Sequence, residues 1–110
     1  MAASNEPIFH LATPAEWEAA LESGLVAPPS LTSEGFVHCS TEEQLASTID
    51  RHFTGAEELR VLRLAIDPLD RDVRWEESRP GETYPHVYRP IAVDEVIEVI
   101  PWRRGSEDSA

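Results

Sequence analysis

The sequence contains no lysine: its nine basic residues are all arginines, set against 21 acidic ones. Schiff-base chemistry, a lysine nucleophile and a lysine-dependent phosphate loop are closed to this chain. Cysteine is almost as scarce, and the single Cys39 has no partner for an internal disulfide, which fits a reducing compartment and makes the cytoplasm the expected location. Long apolar runs are missing too. No stretch approaches the roughly 18 residues of a membrane helix, and Met1 to Glu6 show no basic segment followed by an apolar one, so neither membrane insertion nor secretion is expected. The formal net charge of -12 repels polyanions, so nucleic acid and anionic membrane surfaces are not expected partners.

What remains is enough for one core: 110 residues, 41% of them hydrophobic. The expected boundaries are a disordered N-terminus over 1–6, a single α+β domain over 7–104 and a disordered tail over 105–110. Ile8 to Ala12 reads as a short strand, and Thr13-Pro14-Ala15-Glu16 then supplies a capping threonine, a first-turn proline and a glutamate at the third helical position. Trp17, Ala20, Leu21 and Leu25 recur at helical spacing, with Gly24 as a left-handed terminator. Ala27 to Thr32, with two prolines, reads as a rigid extended loop.

Gly35 to Cys39 reads as a second strand, followed by a capping pattern at Ser40 and a helix carrying Leu45, Ile49, His52 and Phe53, closed by Gly55. Glu58 to Asp67 is the strongest strand signal and is expected at the centre of the sheet. Val73 to Glu76, an extended segment from Tyr84 to Tyr88 and a closing strand from Val93 to Pro101 complete the series. The order β-α-β-α and then several strands predicts two short helices packed on a mostly antiparallel, split sheet.

Alternation along a strand puts Phe36, His38 and Ser40 on one face and Val37 and Cys39 on the other. A His38-Cys39 dyad is therefore disfavoured, and Cys39 reads as a packed thiol. Ser40, as a helix N-cap, would accept a backbone hydrogen bond, while the same terminus at Ser40 and Thr41 offers N–H donors to a phosphate or carboxylate. His10, His38 and His86 all lie in or beside strands and could converge, whereas His52 reads as a surface residue on a helix. No His-x-His or His-x-x-x-His spacing supports a metal site, and no metal is assigned. Arg74 and Glu76 share one strand face, which leaves Glu76 to orient a polar ligand or to pair with an arginine. His86 and Tyr88 share one face of a rigid segment suited to stacking on a flat ring.

His10, Trp17, Ser30-Leu31, the run Gly35 to Thr41, Gln44, Trp75-Glu76 and the run Tyr84 to Pro90 together resemble, in order and spacing over residues 7 to 101, the bacterial family known as domain of unknown function 952. That family resembles, remotely, the ADP-ribosyltransferase-like fold, a split two-sheet α+β structure that holds NAD in a cleft between its sheets. The resemblance implies a nucleotide-like small-molecule ligand, with NAD as the expected cofactor. It implies His10 and His38 as ligand contacts, Ser40 near a phosphate or ribose, and His86 with Tyr88 closing the cleft; Arg74 and Arg89 would bind the ligand's pyrophosphate against the acidic balance of the chain. Glu76 and His38 are the catalytic candidates, with Glu76 as counterpart of the glutamate that orients the ribose and stabilises an oxocarbenium-like transition state. The alternatives are a non-catalytic small-molecule or protein-interaction module, and a metal-dependent hydrolase built on three histidines.

Overall fold

Every residue of the first strand, β1 (Ile8–Ala12), is buried, because both faces of the sheet it belongs to are covered. Ile8 and Ala12 pack with Leu62, Leu64, Val37 and Val87 in one core, while Phe9 and Leu11 pack with Ile49, Leu59 and Val61 in a second. The computed structural model describes residues 7–105. The expectations of disorder for 1–6 and 106–110 lie outside the described residues, and Gly105 belongs to a turn.

Helix α1 (Pro14–Ser23) starts and stops where its sequence signals place it. Thr13 N–H donates to Glu16 Oε1 at 3.0 Å, Glu16 N–H donates to Thr13 Oγ1 at 3.1 Å, and Gly24 terminates the helix at φ +88°. Trp17 and Ala20 face the core, but Leu21 and Leu25 are exposed, so the apolar stripe is narrower than the spacing predicts. Leu25 belongs instead to β2 (Leu25–Val26), which pairs with β8 (Ile91–Ala92). The Ala27–Thr32 segment is not wholly extended: Pro29 opens a short helix, α2 (Pro29–Ser33), because proline's fixed φ and missing N–H suit a first helical position.

The expected Gly35–Cys39 strand is shorter, and the capping segment after it forms a second strand in a different sheet. β3 (Val37–His38) pairs with β7 (Glu82–Val87), and β4 (Ser40–Thr41) pairs with β1; Cys39, whose N–H donates to the Pro85 carbonyl, is the crossing point. Because Ser40 is still paired with Phe9, the cap falls one residue later, at Thr41. Thr41 N–H donates to Gln44 Oε1 at 3.0 Å, and a 3-10 turn (Glu42–Gln44) leads into α3 (Leu45–His52). That helix ends on Phe53; Gly55 lies beyond it and does not adopt the left-handed conformation of a terminator.

β5 (Glu58–Leu64) is central, as the sequence predicts, in a four-stranded sheet of order β4-β1-β5-β9, with β9 (Val96–Arg103) at its edge. The last strand, β9 (Val96–Arg103), begins later than Val93 because Val93–Glu95 forms a 3-10 turn. The second sheet has the order β3-β7-β6, where β6 (Val73–Arg79) and β7 form a hairpin. All pairings are antiparallel. The architecture is a small α+β domain with three α-helices, one more than expected, and a split sheet. No helix among the described residues is long and apolar enough to cross a membrane.

Candidate functional site

The inward face of the β3-β7-β6 sheet is apolar: Val37, Val73 and Val87 are buried in the main core, with Trp75 packed against it. The opposite phase of the same strands carries His38, Glu76, Tyr84 and His86, and part of this set turns toward a cavity of about 360 Å³. That volume lies at the lower end of the roughly 300–1,000 Å³ of small-molecule clefts. Both sheets contribute walls: His10 and Leu11 from β1, His38 to Ser40 at the crossing, and Tyr84 and His86 from β7. Helix α3 from Thr48 onward, the Pro28–Ser30 segment, Thr13 and Glu16 at the start of α1, and Ser78 of the strand beside β7 close the rest, so one carboxylate also stands in the wall.

Three of the four histidines therefore converge, as their strand positions predict, but their nitrogens serve different partners. His10 Nδ1 donates to the His38 carbonyl oxygen at 2.7 Å, and burial pushes the His10 imidazole below its ordinary pKa. His38 sits at the rim, with Nε2 3.2 Å from Glu34 Oε1. His86 is 4% exposed, and its Nδ1 lies 2.7 Å from Glu76 Oε1. The same oxygen accepts the Tyr88 hydroxyl at 2.7 Å. These two hydrogen bonds, Tyr88 first and His86 second, hold the Glu76 carboxyl below the usual range, so it is ionised at neutral pH and only accepts. His86 Nδ1 must then be the donor. Its Nε2 is buried and meets no hydrogen-bonding group among the described residues.

The flat ring that His86 stacks on belongs to the protein. Phe36 lies parallel to it at 4.1 Å, touches Tyr88 at 5.1 Å and meets His38 edge-on at 4.8 Å. Arg74 lies over the Tyr88 ring at 4.6 Å, and its charge adds a smaller contribution to holding the Glu76 carboxyl down. Ser40 walls the cavity, but its hydroxyl is engaged with Thr48 Oγ1 at 3.1 Å and caps no helix. Thr41, Glu76, Tyr88 and Arg89 do not wall the cavity. Glu76 reaches it through His86. Arg89 is engaged elsewhere, with Nη1 and Nη2 each 2.9 Å from a Glu95 oxygen and Nε 3.0 Å from Asp72 Oδ2.

The residue missed by sequence reasoning is Arg51, the one arginine in the cavity wall among the described residues, whose Nη1 donates to the Tyr84 hydroxyl at 3.4 Å. His52 also reaches the cavity rim while remaining exposed. No local pattern marks either one, since the wall assembles residues separated by up to 76 positions, from His10 to His86. Cys39 behaves as its strand phase predicts: it is buried, and burial pushes its thiol far up, which removes it as a nucleophile. No group of three or more His, Cys, Asp or Glu side chains among the described residues is placed to hold a metal ion.

Fold and cleft together define a small antiparallel α+β domain with a histidine-lined cavity between two sheets. The chain belongs to the family described as protein of unknown function DUF952, whose model matches residues 11–99. It is similar to protein CC0527 from Caulobacter crescentus: the crystal structure of that protein is 35% identical, covers 86% of this chain and 84% of that chain, and has a TM-score of 0.79. The solution NMR structure of CC0527 is 36% identical over 86% of this chain and 82% of that one, with a TM-score of 0.74. No curated protein matches the chain.

Proposed function

We propose that the domain binds a nucleotide-like small molecule in the inter-sheet cavity, with chemistry of the ADP-ribosyltransferase type as the finer reading. The observation that carries this is the cavity wall itself, where His10, His38 and His86 from two sheets meet Arg51 from α3, with His86 anchored there by an ionised carboxylate. Arg51 supplies the cationic contact that a phosphate needs in an otherwise strongly acidic protein. His10 and His38 contact the ligand from the opposite wall and the rim. In an ADP-ribosyl transfer from NAD, Glu76 acts through His86, offsetting the positive charge that develops on the ribose as the glycosidic bond breaks.

Calorimetric titration with NAD and ADP-ribose tests the reading. Saturable binding is expected, lost in a His86→Ala variant whose circular dichroism stays native and weakened about tenfold or more in Arg51→Ala, the scale of one charge-assisted hydrogen bond. Undiminished affinity in the folded His86→Ala variant, or no heat with the unaltered protein, would overturn it.

A second reading, a non-catalytic binding module, is favoured by two observations. Both hydrogen bonds to Glu76 fall on the same oxygen and come from the protein itself, and the cavity suits one ring and its substituents better than a whole dinucleotide. Nicotinamide release from NAD separates the two: turnover supports the transferase, and binding without release supports the module.

A further inference from the structure

A second cavity of about 240 Å³ adjoins the first, between α1, β2 and residues 27–29. Four residues, His10, Glu16, Pro28 and Pro29, wall both. Beyond those four the two differ in character. The first carries Arg51, Tyr84 and the hydroxyl residues Ser40, Thr48 and Ser78. The second is faced by Trp17, Ala20, Leu25, Val26 and Leu62; apart from the shared four, Ser23 is the one polar residue of its described wall, and its hydroxyl is engaged with the Leu25 backbone. Folded interiors leave few voids larger than a water molecule, and a space with such walls offers water few partners while accepting an apolar group.

Charge sorts the two ends. Arg51 Nη1 donates to the Tyr84 hydroxyl, and no carboxylate among the described residues pairs with its guanidinium, although the chain carries 21 acidic residues against nine basic ones. Glu16, the one carboxylate in either described wall, stands at the junction, with Oε1 held by the Thr13 N–H. An anion is repelled from the junction and drawn to the α3 side. We propose that the two cavities form one site for an amphipathic anion, with its phosphate or carboxylate at Arg51 and its apolar ring or chain past Pro28 and Pro29 in the second cavity. This rests on the reading of the first cavity as a ligand site and adds a place for the group attached to the anion. In a nucleotide-like ligand the flat base takes that place.

Calorimetric titration of the full chain with straight-chain alkyl phosphates, methyl to hexyl, tests the second subsite separately from the first. Affinity is expected to rise roughly fourfold for each methylene that enters the second cavity, the factor that one buried CH₂ supplies. Ala19 and Ala27 are exposed residues that wall the second cavity and not the first, so Ala19→Leu and, separately, Ala27→Leu narrow it without disturbing the core. Either is expected to flatten the series, with losses that grow with chain length, whereas Arg51→Ala weakens every member by a similar factor. Equal affinity for methyl and hexyl phosphate, or an undiminished series in both narrowed variants, would overturn the second subsite while leaving the first cavity as a ligand site. No binding of any member overturns the proposal too, and ADP-ribose binding by the same sample then decides whether the first cavity falls with it.

Discussion

His10 shows at the scale of one residue how a polar group is kept on an apolar strand face. It sits between Ile8 and Ala12 and is fully engaged at Nδ1, and burial holds it neutral. That has a consequence for stability. The unfolded chain protonates His10 near 6.5, above the folded value, so between the two the native state binds fewer protons than the unfolded chain. Its contribution is fully present above pH 6.5 and is lost progressively below it, while Glu76 and Glu95, both held below 4.5, add a further loss at lower pH. Urea unfolding across this range is expected to show the first decline and to show less of it in His10→Asn, where a side-chain amide can still donate to the His38 carbonyl. An equal slope in the variant would contradict the assignment. Residue positions of this kind were partly legible: His10, His38 and His86 all read as lying in or beside strands, which allowed them to converge, and the pairing of distant strands brings them together. Arg51 was not, because it meets the others only through tertiary packing.

At the scale of elements, local signals and long-range ones part company. Helix α1 is encoded within its own sequence, from Thr13 to Gly24, and its terminator makes a clean test. A Cβ at Gly24 would meet nothing within 4 Å, so Gly24→Ala should destabilise by about 1 kcal/mol through the left-handed backbone alone; a neutral or stabilising result by chemical denaturation would argue against that conformation. The run Val37 to Thr41 behaves differently. It reads as a strand end followed by a helix cap, yet it serves two sheets, and nothing in its residues announces the crossing at Cys39. The β2–β8 pair was equally invisible, since two-residue strands carry no periodicity. Pro29 did carry a legible signal for α2, but two adjacent prolines also fit an extended loop.

At the scale of the whole molecule, the crossing at Cys39 is what makes a cavity. By moving the chain from the β3-β7-β6 sheet to the β4-β1-β5-β9 sheet, it brings His38, Ser40 and His86 against His10 and leaves α3 to close the space with Arg51. The split-sheet α+β class was readable from element order, whereas the sheet orders depend on pairings between distant strands. The exposed apolar side chains of β9, Ile97, Val99 and Ile100, lie on a different strand from the cavity and serve as an internal control. The most direct measurement is a backbone-amide NMR titration of the labelled domain with ADP-ribose. Localised, saturable shifts at Leu11, His38 to Ser40, Arg51 to Phe53 and His86 are predicted, with Ile97 to Ile100 unmoved. No shifts at millimolar ligand, or shifts confined to β9, would contradict the inter-sheet cleft as the binding site.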